Sequence, residues 1–402
     1  MESYEFLLVI AIILLSTKTF GLLSSHVHMP QVVGALMAGI ILGPSCLGIV
    51  QETDFLLKTS ELGVIILMFI AGLDTDIEEL KNTGLTSFVV ALLGVIFPLL
   101  GGFGAYMAFF AQSVDSMTVL KGIFIGVVLT ATSVSITVET LREMGKLKGK
   151  VGTTILGAAV IDDILGIIIL SFLSGFTGGN ESPFMVLTKI GGFFIFLVVV
   201  GIGIYYVFRK MEDVVGTKRR VAVYGFGFCL ILSYIAEKFF GVADITGAYF
   251  AGIILCNIAK TRQYIVKKIT VSSYLFFSPV FFASVGIKTD LRALNSRFII
   301  FALVLLAIAV ITKIIGCGIG AKICGISNLD SFRIGVGMVS RGEVALIVAQ
   351  KGMQAGLIDT VLSPAIVLVV IMTTLLTPIM LSFVMKEKVS EKLHFKKATI
   401  NS

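Results

Sequence analysis

The chain has 402 residues, of which 56% are hydrophobic and 14% charged, with a formal net charge of +7, 42 glycines and no tryptophan; its mean hydropathy is +1.02. Soluble globular domains carry about 25% charged residues, so this composition excludes an ordinary soluble enzyme or binding domain and predicts an all-α polytopic membrane protein. The five cysteines (Cys46, Cys229, Cys256, Cys317, Cys324) lie in or beside apolar stretches with no CxxC spacing, which speaks against a disulfide framework or a metal cluster.

Met1-Glu2-Ser3-Tyr4-Glu5 precedes the first apolar stretch without the basic leader of a cleaved signal peptide, so that stretch is expected to be the first span. Thirteen apolar segments follow in order, at roughly 6–23, 29–50, 62–73, 85–111, 119–138, 151–173, 184–208, 221–236, 245–258, 271–287, 298–321, 332–349 and 361–385. They predict 13 transmembrane helices. The third and tenth are the weakest of these, because apolar runs of about 10 to 14 residues more often lie buried or re-enter than span. An odd number of spans places the two ends on opposite sides. With the lysine-rich tail (Lys386, Lys388, Lys392, Lys396, Lys397) inside and the N-terminus outside, about three times as many lysines and arginines fall inside as outside, the bias expected of a correct topology. The acidic loop Asp74, Asp76, Glu78, Glu79 also falls inside, where carboxylates count for little in that rule.

An internal repeat links the halves. Gly34-Ala35-Leu36-Met37-Ala38-Gly39-Ile40-Ile41-Leu42 in the second segment matches Gly247-Ala248-Tyr249-Phe250-Ala251-Gly252-Ile253-Ile254-Leu255 in the ninth at seven of nine positions. The next segments repeat the match, with Gly72-Leu73-Asp74-Thr75-Asp76 against Gly286-Ile287-Lys288-Thr289-Asp290. Paired segments are seven spans apart, an odd number, so the halves are expected to run in opposite directions across the membrane. Inverted-topology repeats of this kind belong to alternating-access secondary transporters.

The repeat pairs the fifth segment with the twelfth, and each carries a poor helix at mid-depth. The fifth has Leu129-Thr130-Ala131-Thr132-Ser133-Val134-Ser135; the twelfth has Gly335-Val336-Gly337-Met338-Val339-Ser340-Arg341-Gly342-Glu343. Glycine costs about 1 kcal/mol in a helix interior, and non-helical backbone persists at membrane depth only where protein or a cavity covers it. Two interrupted crossing helices are therefore expected, and interruptions at corresponding positions point to a transporter's binding site.

The sixth segment reads Ala158-Ala159-Val160-Ile161-Asp162-Asp163-Ile164-Leu165-Gly166, two adjacent carboxylates near the middle of an apolar run. A charged side chain at a helix centre costs about 2.5 to 3.5 kcal/mol to insert. Asp162, Asp163, Lys313, Arg341 and Glu343 together would cost about 12 to 17 kcal/mol if left unpaired, so they are expected to lie near one another. Neighbouring residues on a helix diverge by about 100°, so one aspartate faces Lys313 and the other faces a cavity. Blander readings stay open beside these: Lys313 snorkelling to an interface, Arg341 and Glu343 satisfying only each other, Thr130, Thr132, Ser133 and Ser135 bonding back to helix carbonyls, and His26 and His28 as interfacial residues rather than pH sensors.

The aspartate pair, the Thr130 to Ser133 interruption, the intramembrane Lys313 and Ser340-Arg341-Gly342-Glu343-Val344 together resemble the monovalent cation:proton antiporter-2 family, of the NapA and GerN sodium/proton antiporter type, and more distantly NhaA. The resemblance covers nearly the whole chain. It implies that Asp163 is the main cation and proton carrier, that Asp162 pairs with Lys313 when no cation is bound, and that Thr132 and Ser133 lend oxygens. It also implies that Glu343 sits at the second break, with Arg341 as a structural charge nearby. In domain terms it implies dimerisation-domain helices at 1–80 and 219–287, a core transport bundle at 85–174 and 297–385, a linker helix at 184–208, a basic cytoplasmic tail at 386–402, and a homodimer in the cell (inner) membrane.

The chemistry implied is competition for one site. A partly desolvated carboxylate holds a proton or a sodium ion near neutral pH, and if only loaded forms cross, exchange of Na+ (or Li+) for H+ is obligatory. No cofactor and no nucleic acid is implied; the substrates are the cation and the proton. Two rivals are a K+/H+ antiporter of the Kef type, which usually carries a soluble nucleotide-binding tail where only about 17 residues follow the last span here, and an intramembrane aspartyl protease. The protease needs two carboxylates from separate helices facing one water, which adjacent residues do not provide.

Overall fold

The computed structural model describes residues 4–27, 29–110, 115–176, 183–215, 219–288, 296–354, 356–358 and 362–386. Among them there is no strand. The helices in chain order are α1 (Glu5–His26), α2 (Gln31–Leu42), α3 (Asp54–Asp74), α4 (Ile77–Phe110), α5 (Ser116–Val128), α6 (Val134–Glu143), α7 (Lys150–Phe176) and α8 (Pro183–Val215). The second half continues with α9 (Arg219–Phe240), α10 (Asp244–Cys256), α11 (Ala259–Ser272), a π-helical turn (Ser273–Phe277), α12 (Ser278–Ile287), α13 (Ser296–Ile323), α14 (Asn328–Gly337), α15 (Glu343–Gln354) and α16 (Ser363–Val384). Among the described residues, 9 helices are long and apolar enough to cross a membrane, and α2, α5 and α10 are shorter apolar helices.

The third and tenth segments prove stronger than their apolar runs suggest. Thr53 caps α3 by accepting the Leu56 N–H at 3.3 Å, so the helix starts at Asp54 and takes in the polar stretch Lys58-Thr59-Ser60-Glu61 that an apolar criterion discards. The tenth segment is preceded by the basic helix α11, and the π turn joins α11 to α12 without a break, so the helical run extends back to Ala259. The second segment is shorter than expected. α2 has 12 residues and stops at Gly43, a rise of about 18 Å against about 30 Å of hydrocarbon.

Two neighbourhoods emerge from the packing. α4 lies against α5, α7 and α13, and α13 in turn against α14 and α16; separately, α2 packs on α1 and α12, and α10 on α3 and α9. The repeated glycines make the second neighbourhood close-packed in a reciprocal way. A Cβ on Gly39 of α2 would collide with the Ala283 carbonyl of α12, and one on Gly286 of α12 would lie 2.6 Å from the Leu36 carbonyl of α2. In the other copy, a Cβ on Gly72 of α3 would strike the Tyr249 carbonyl, and one on Gly252 of α10 the Phe69 carbonyl. Each copy of the repeat therefore uses its glycine to admit the backbone of the other half.

The surface is apolar and the interior polar where it matters. Leu15 on α1 is 72% exposed and Ile195 on α8 69%, while Asp162, Asp163, Lys313 and Arg341 are all buried. That inversion is what a lipid-facing surface requires.

Candidate functional site

Both interrupted segments break where the sequence loses helical propensity. α5 ends at Val128 and α6 starts at Val134; α14 ends at Gly337 and α15 starts at Glu343. Each break leaves helix carbonyls without intrahelical donors, and in a membrane interior each must find one. The two breaks touch: the Ser133 N–H donates to the Ser340 carbonyl at 2.7 Å, and Thr137 Oγ1 donates to the Gly337 carbonyl at 2.8 Å. A Cβ on Gly342 would stand 2.6 Å from Ser133 Oγ, so glycine is what lets the two breaks meet.

Two cations serve the first break. Lys313, fully buried on α13, donates to the Thr130 carbonyl at 2.8 Å, to the Gly94 carbonyl of α4 at 2.9 Å, and to Asp162 at 3.2 Å (Oδ1) and 3.3 Å (Oδ2). An ammonium has three N–H donors, and two carbonyls and one carboxylate use them all. A buried ion pair is sustained only when such additional hydrogen bonds complete it, and the cation also sits where the C-terminal end of α5 carries partial negative charge. Arg341, also fully buried, donates from Nη1 to the Ala131 carbonyl at 2.6 Å and from Nη2 to the Ala309 carbonyl of α13 at 3.3 Å.

Lys313 is thus a paired interior charge and not a snorkelling one. Arg341 bonds to backbone carbonyls; Glu343 opens α15, and its side chain lies outside the described residues. Asp162 is the aspartate that faces Lys313, while Asp163, one residue on and about 100° around α7, is the more exposed at 7% against 2%. Thr130 Oγ1 bonds back to the Val127 carbonyl at 2.8 Å, as the blander reading of the hydroxyls has it. Thr132 does not: its Oγ1 is buried without a hydrogen-bond partner, as is Ser340 Oγ. Ser133 Oγ lies 3.4 Å from Ser135 Oγ. His26 turns its Nδ1 to the Leu22 carbonyl at 2.8 Å on the surface; His28 lies outside the described residues.

Sequence reasoning missed two participants. Thr374 on α16 shares its one hydroxyl proton between the Arg341 carbonyl and the Val370 carbonyl of its own helix. Thr137 completes the crossing beside the Ser133–Ser340 bond. The signal was available for Thr374, since Thr373, Thr374 and Thr377 are hydroxyls inside an apolar run. The carbonyls of Gly94 and Ala309 carry no side-chain signature.

A helical membrane fold with two broken helices touching beside a buried aspartate–lysine pair is the architecture of a secondary transporter. The chain belongs to the sodium/hydrogen exchanger family, described as "Sodium/hydrogen exchanger, transmembrane", which matches residues 9–387; it is a multi-pass membrane transporter and not an enzyme. It is 41% identical to the Na+/H+-K+ antiporter GerN of Bacillus cereus, over 94% of this chain and 96% of that protein. It is 37% identical to a Na+/H+ antiporter of Enterococcus hirae, over 95% and 99% of the two chains. Among solved structures, the sodium proton antiporter MjNhaP1 of Methanocaldococcus jannaschii at pH 8 shares the fold, with a TM-score of 0.72 and 19% identity over 95% of this chain and 99% of that one.

Proposed function

We propose that this protein exchanges Na+, with Li+ as an alternative substrate, for H+ by alternating access, with proton and cation competing for the buried aspartates. The observation that carries the reading is the Asp162–Lys313 pair held at 3.2 Å beside the touching breaks, with Asp163 on the next position of the same helix. Lys313 neutralises Asp162, which leaves Asp163 as the carboxylate that takes either a proton or an alkali cation. Thr132 and Ser133 supply oxygens; the orphaned buried Thr132 Oγ1 supports this, because a buried hydroxyl without a partner costs about 1–3 kcal/mol unless something else uses it. Glu343 and Arg341 complete the charge balance.

The wider organisation belongs to the same reading. Thirteen crossings follow if each broken helix counts as one span and the short helices α2 and α10 cross with their flanking loops. The reciprocal glycine contacts support an inverted repeat. The separation of packing into two neighbourhoods supports a core bundle (85–174 and 297–385) working against dimerisation-domain helices (1–80 and 219–287), with 184–208 as linker and 386–402 as a cytoplasmic tail. A homodimer in the cell (inner) membrane, N-terminus outside, completes it; the exposed apolar sides of α1 and α8 leave room for such a contact.

The test is a pH-gradient assay in vesicles containing the full chain. Addition of Na+ is expected to dissipate the gradient, and Asp163→Asn is expected to abolish that response. Full-rate exchange by Asp163→Asn overturns the proposal. A second reading, K+/H+ exchange, is favoured by the similarity to the Na+/H+-K+ antiporter of Bacillus cereus; the same assay with K+ in place of Na+ decides it.

A further inference from the structure

α2 starts at Gln31 behind Pro30, and its N-cap has no side-chain hydrogen bond of its own. The missing acceptor comes from a different helix. Glu143, the last residue of α6, takes the Gln31 N–H at 2.7 Å through Oε2. A carboxylate at a helix N-terminus satisfies an orphan donor and meets the positive end of the helix dipole at once. α6 is the second half of the first broken helix, whereas α2 belongs to the neighbourhood of α1, α3 and α12, so this bond ties the broken helix to the opposite group of helices.

The surroundings form a connected polar set on one side of that bond. A cavity of about 350 Å³ is lined by Lys18, Gln31, Glu139, Glu143 and Tyr274 together with apolar side chains. Tyr274, which the π turn places there, donates to Gln31 Oε1 at 3.2 Å and accepts from Lys18 Nζ at 2.5 Å. π turns inside α-helices are frequent at functional positions. A second cavity of about 460 Å³ lies on the other flank of Glu143, lined among others by Lys146 and Lys386. Glu143 is thus reached from solvent and bonded across the two neighbourhoods.

We propose that Glu143 is a positioning residue of the transport cycle, its carboxylate latching α6 to the N-terminus of α2 in the state described and releasing it when the two helix groups move apart. The inference rests on the alternating-access reading above. A contact made in one state only biases the populations of the states, and apparent affinity follows the fraction that is competent to bind. Loss of the latch therefore weakens cation binding at the face to which this state opens and strengthens it at the other. The charged and titratable groups facing Glu143 are Glu139 on its own helix, Lys18, Tyr274, Lys146 and Lys386; Arg142 turns away, to Asp74, Glu139 and Thr270. Tyr274 also bonds to α2, at Gln31 Oε1, but the group on the Gln31 N–H is the Glu143 carboxylate, so acidification of that face relaxes the asymmetry by neutralising it.

The experiment measures Na+-driven proton movement in oriented vesicles, with apparent Na+ affinity taken at each face and thermal unfolding in detergent measured in parallel. Glu143→Gln, which keeps the size and removes the charge, is expected to shift the ratio of the two affinities about fivefold, in keeping with an anion at a helix N-terminus, and to remove the dependence of that ratio on pH. A lowered unfolding temperature with an unchanged ratio overturns the proposal. As an independent variant, Gln31→Cys with Glu143→Cys, in a chain whose five native cysteines are replaced, is expected to lose exchange on oxidation and regain it on reduction. Exchange that continues through the cross-linked form overturns the proposal equally. Asp163→Asn run alongside separates the two ideas: if it is inactive while Glu143→Gln behaves as wild type, the latch alone fails; if it is active, the cation-competition reading fails.

Discussion

The two broken helices are alike in backbone and unlike in charge. Each break is five residues long, 129–133 and 338–342. The carbonyls of the first break are held by cations, Lys313 on Thr130 and Arg341 on Ala131. Those of the second are held by neutral donors, the Ser133 N–H on Ser340 and Thr374 on Arg341, and Thr137 does the same for Gly337 at the end of α14. Aligned position by position, Arg341 stands where Thr132 does and Gly342 where Ser133 does. Both breaks carry buried hydroxyls, Thr132 in the first and Ser340 in the second, but only the second carries a cation, Arg341, which reaches across to its counterpart. Two breaks of equal length thus sit in different electrostatic surroundings, and Asp162 of α7 shares Lys313 with the first.

This asymmetry can be broken by degrees. The largest effect is expected for Lys313→Met, which leaves Asp162 an uncompensated buried charge: about 3–5 kcal/mol of stability is lost, read from unfolding in detergent. Asp162→Asn in the same chain is expected to return much of it, because removing both partners of a buried pair is far cheaper than removing one. Next comes Arg341→Met, which strands the carbonyls of Ala131 and Ala309 at about 1–3 kcal/mol each; an unfolding temperature equal to wild type would show that these bonds do not hold the crossing. Gly342→Ala puts a methyl group on Ser133 Oγ and is expected to cost about 1–3 kcal/mol through overpacking, and Ser133→Ala added to it should recover part of the loss. The smallest change is expected for Thr374→Val on the neutral side, about 1 kcal/mol. If Thr374→Val proved as damaging as Lys313→Met, the division into a cationic and a neutral break would be wrong.

Much of this was legible before the structure. Asp162, Asp163, Lys313 and Arg341 stand out because a charge in an apolar run is costly wherever it lies, and the breaks stand out because glycines, hydroxyls and β-branched residues weaken a helix locally. The identity of the aspartate that meets Lys313 was not legible, since a 100° step leaves either one eligible. The partners of Arg341 were not legible either: the guanidinium bonds to the Ala131 and Ala309 carbonyls, groups that every residue possesses. The start of α3 was misjudged for a related reason, because a threonine cap fixed it and apolarity did not.

The chain by itself determined that the protein lives in a membrane, that it carries buried charge at mid-depth and that two of its helices are broken, because each of these follows from the local cost of placing particular residues in hydrocarbon. The tertiary structure decided which groups meet. Lys313 and Asp162 are 151 residues apart, and Glu143 and Gln31 are 112 apart. Contacts of that span depend on how helices pack, and packing is settled by the shapes of whole helix faces acting together, which no single stretch of sequence contains.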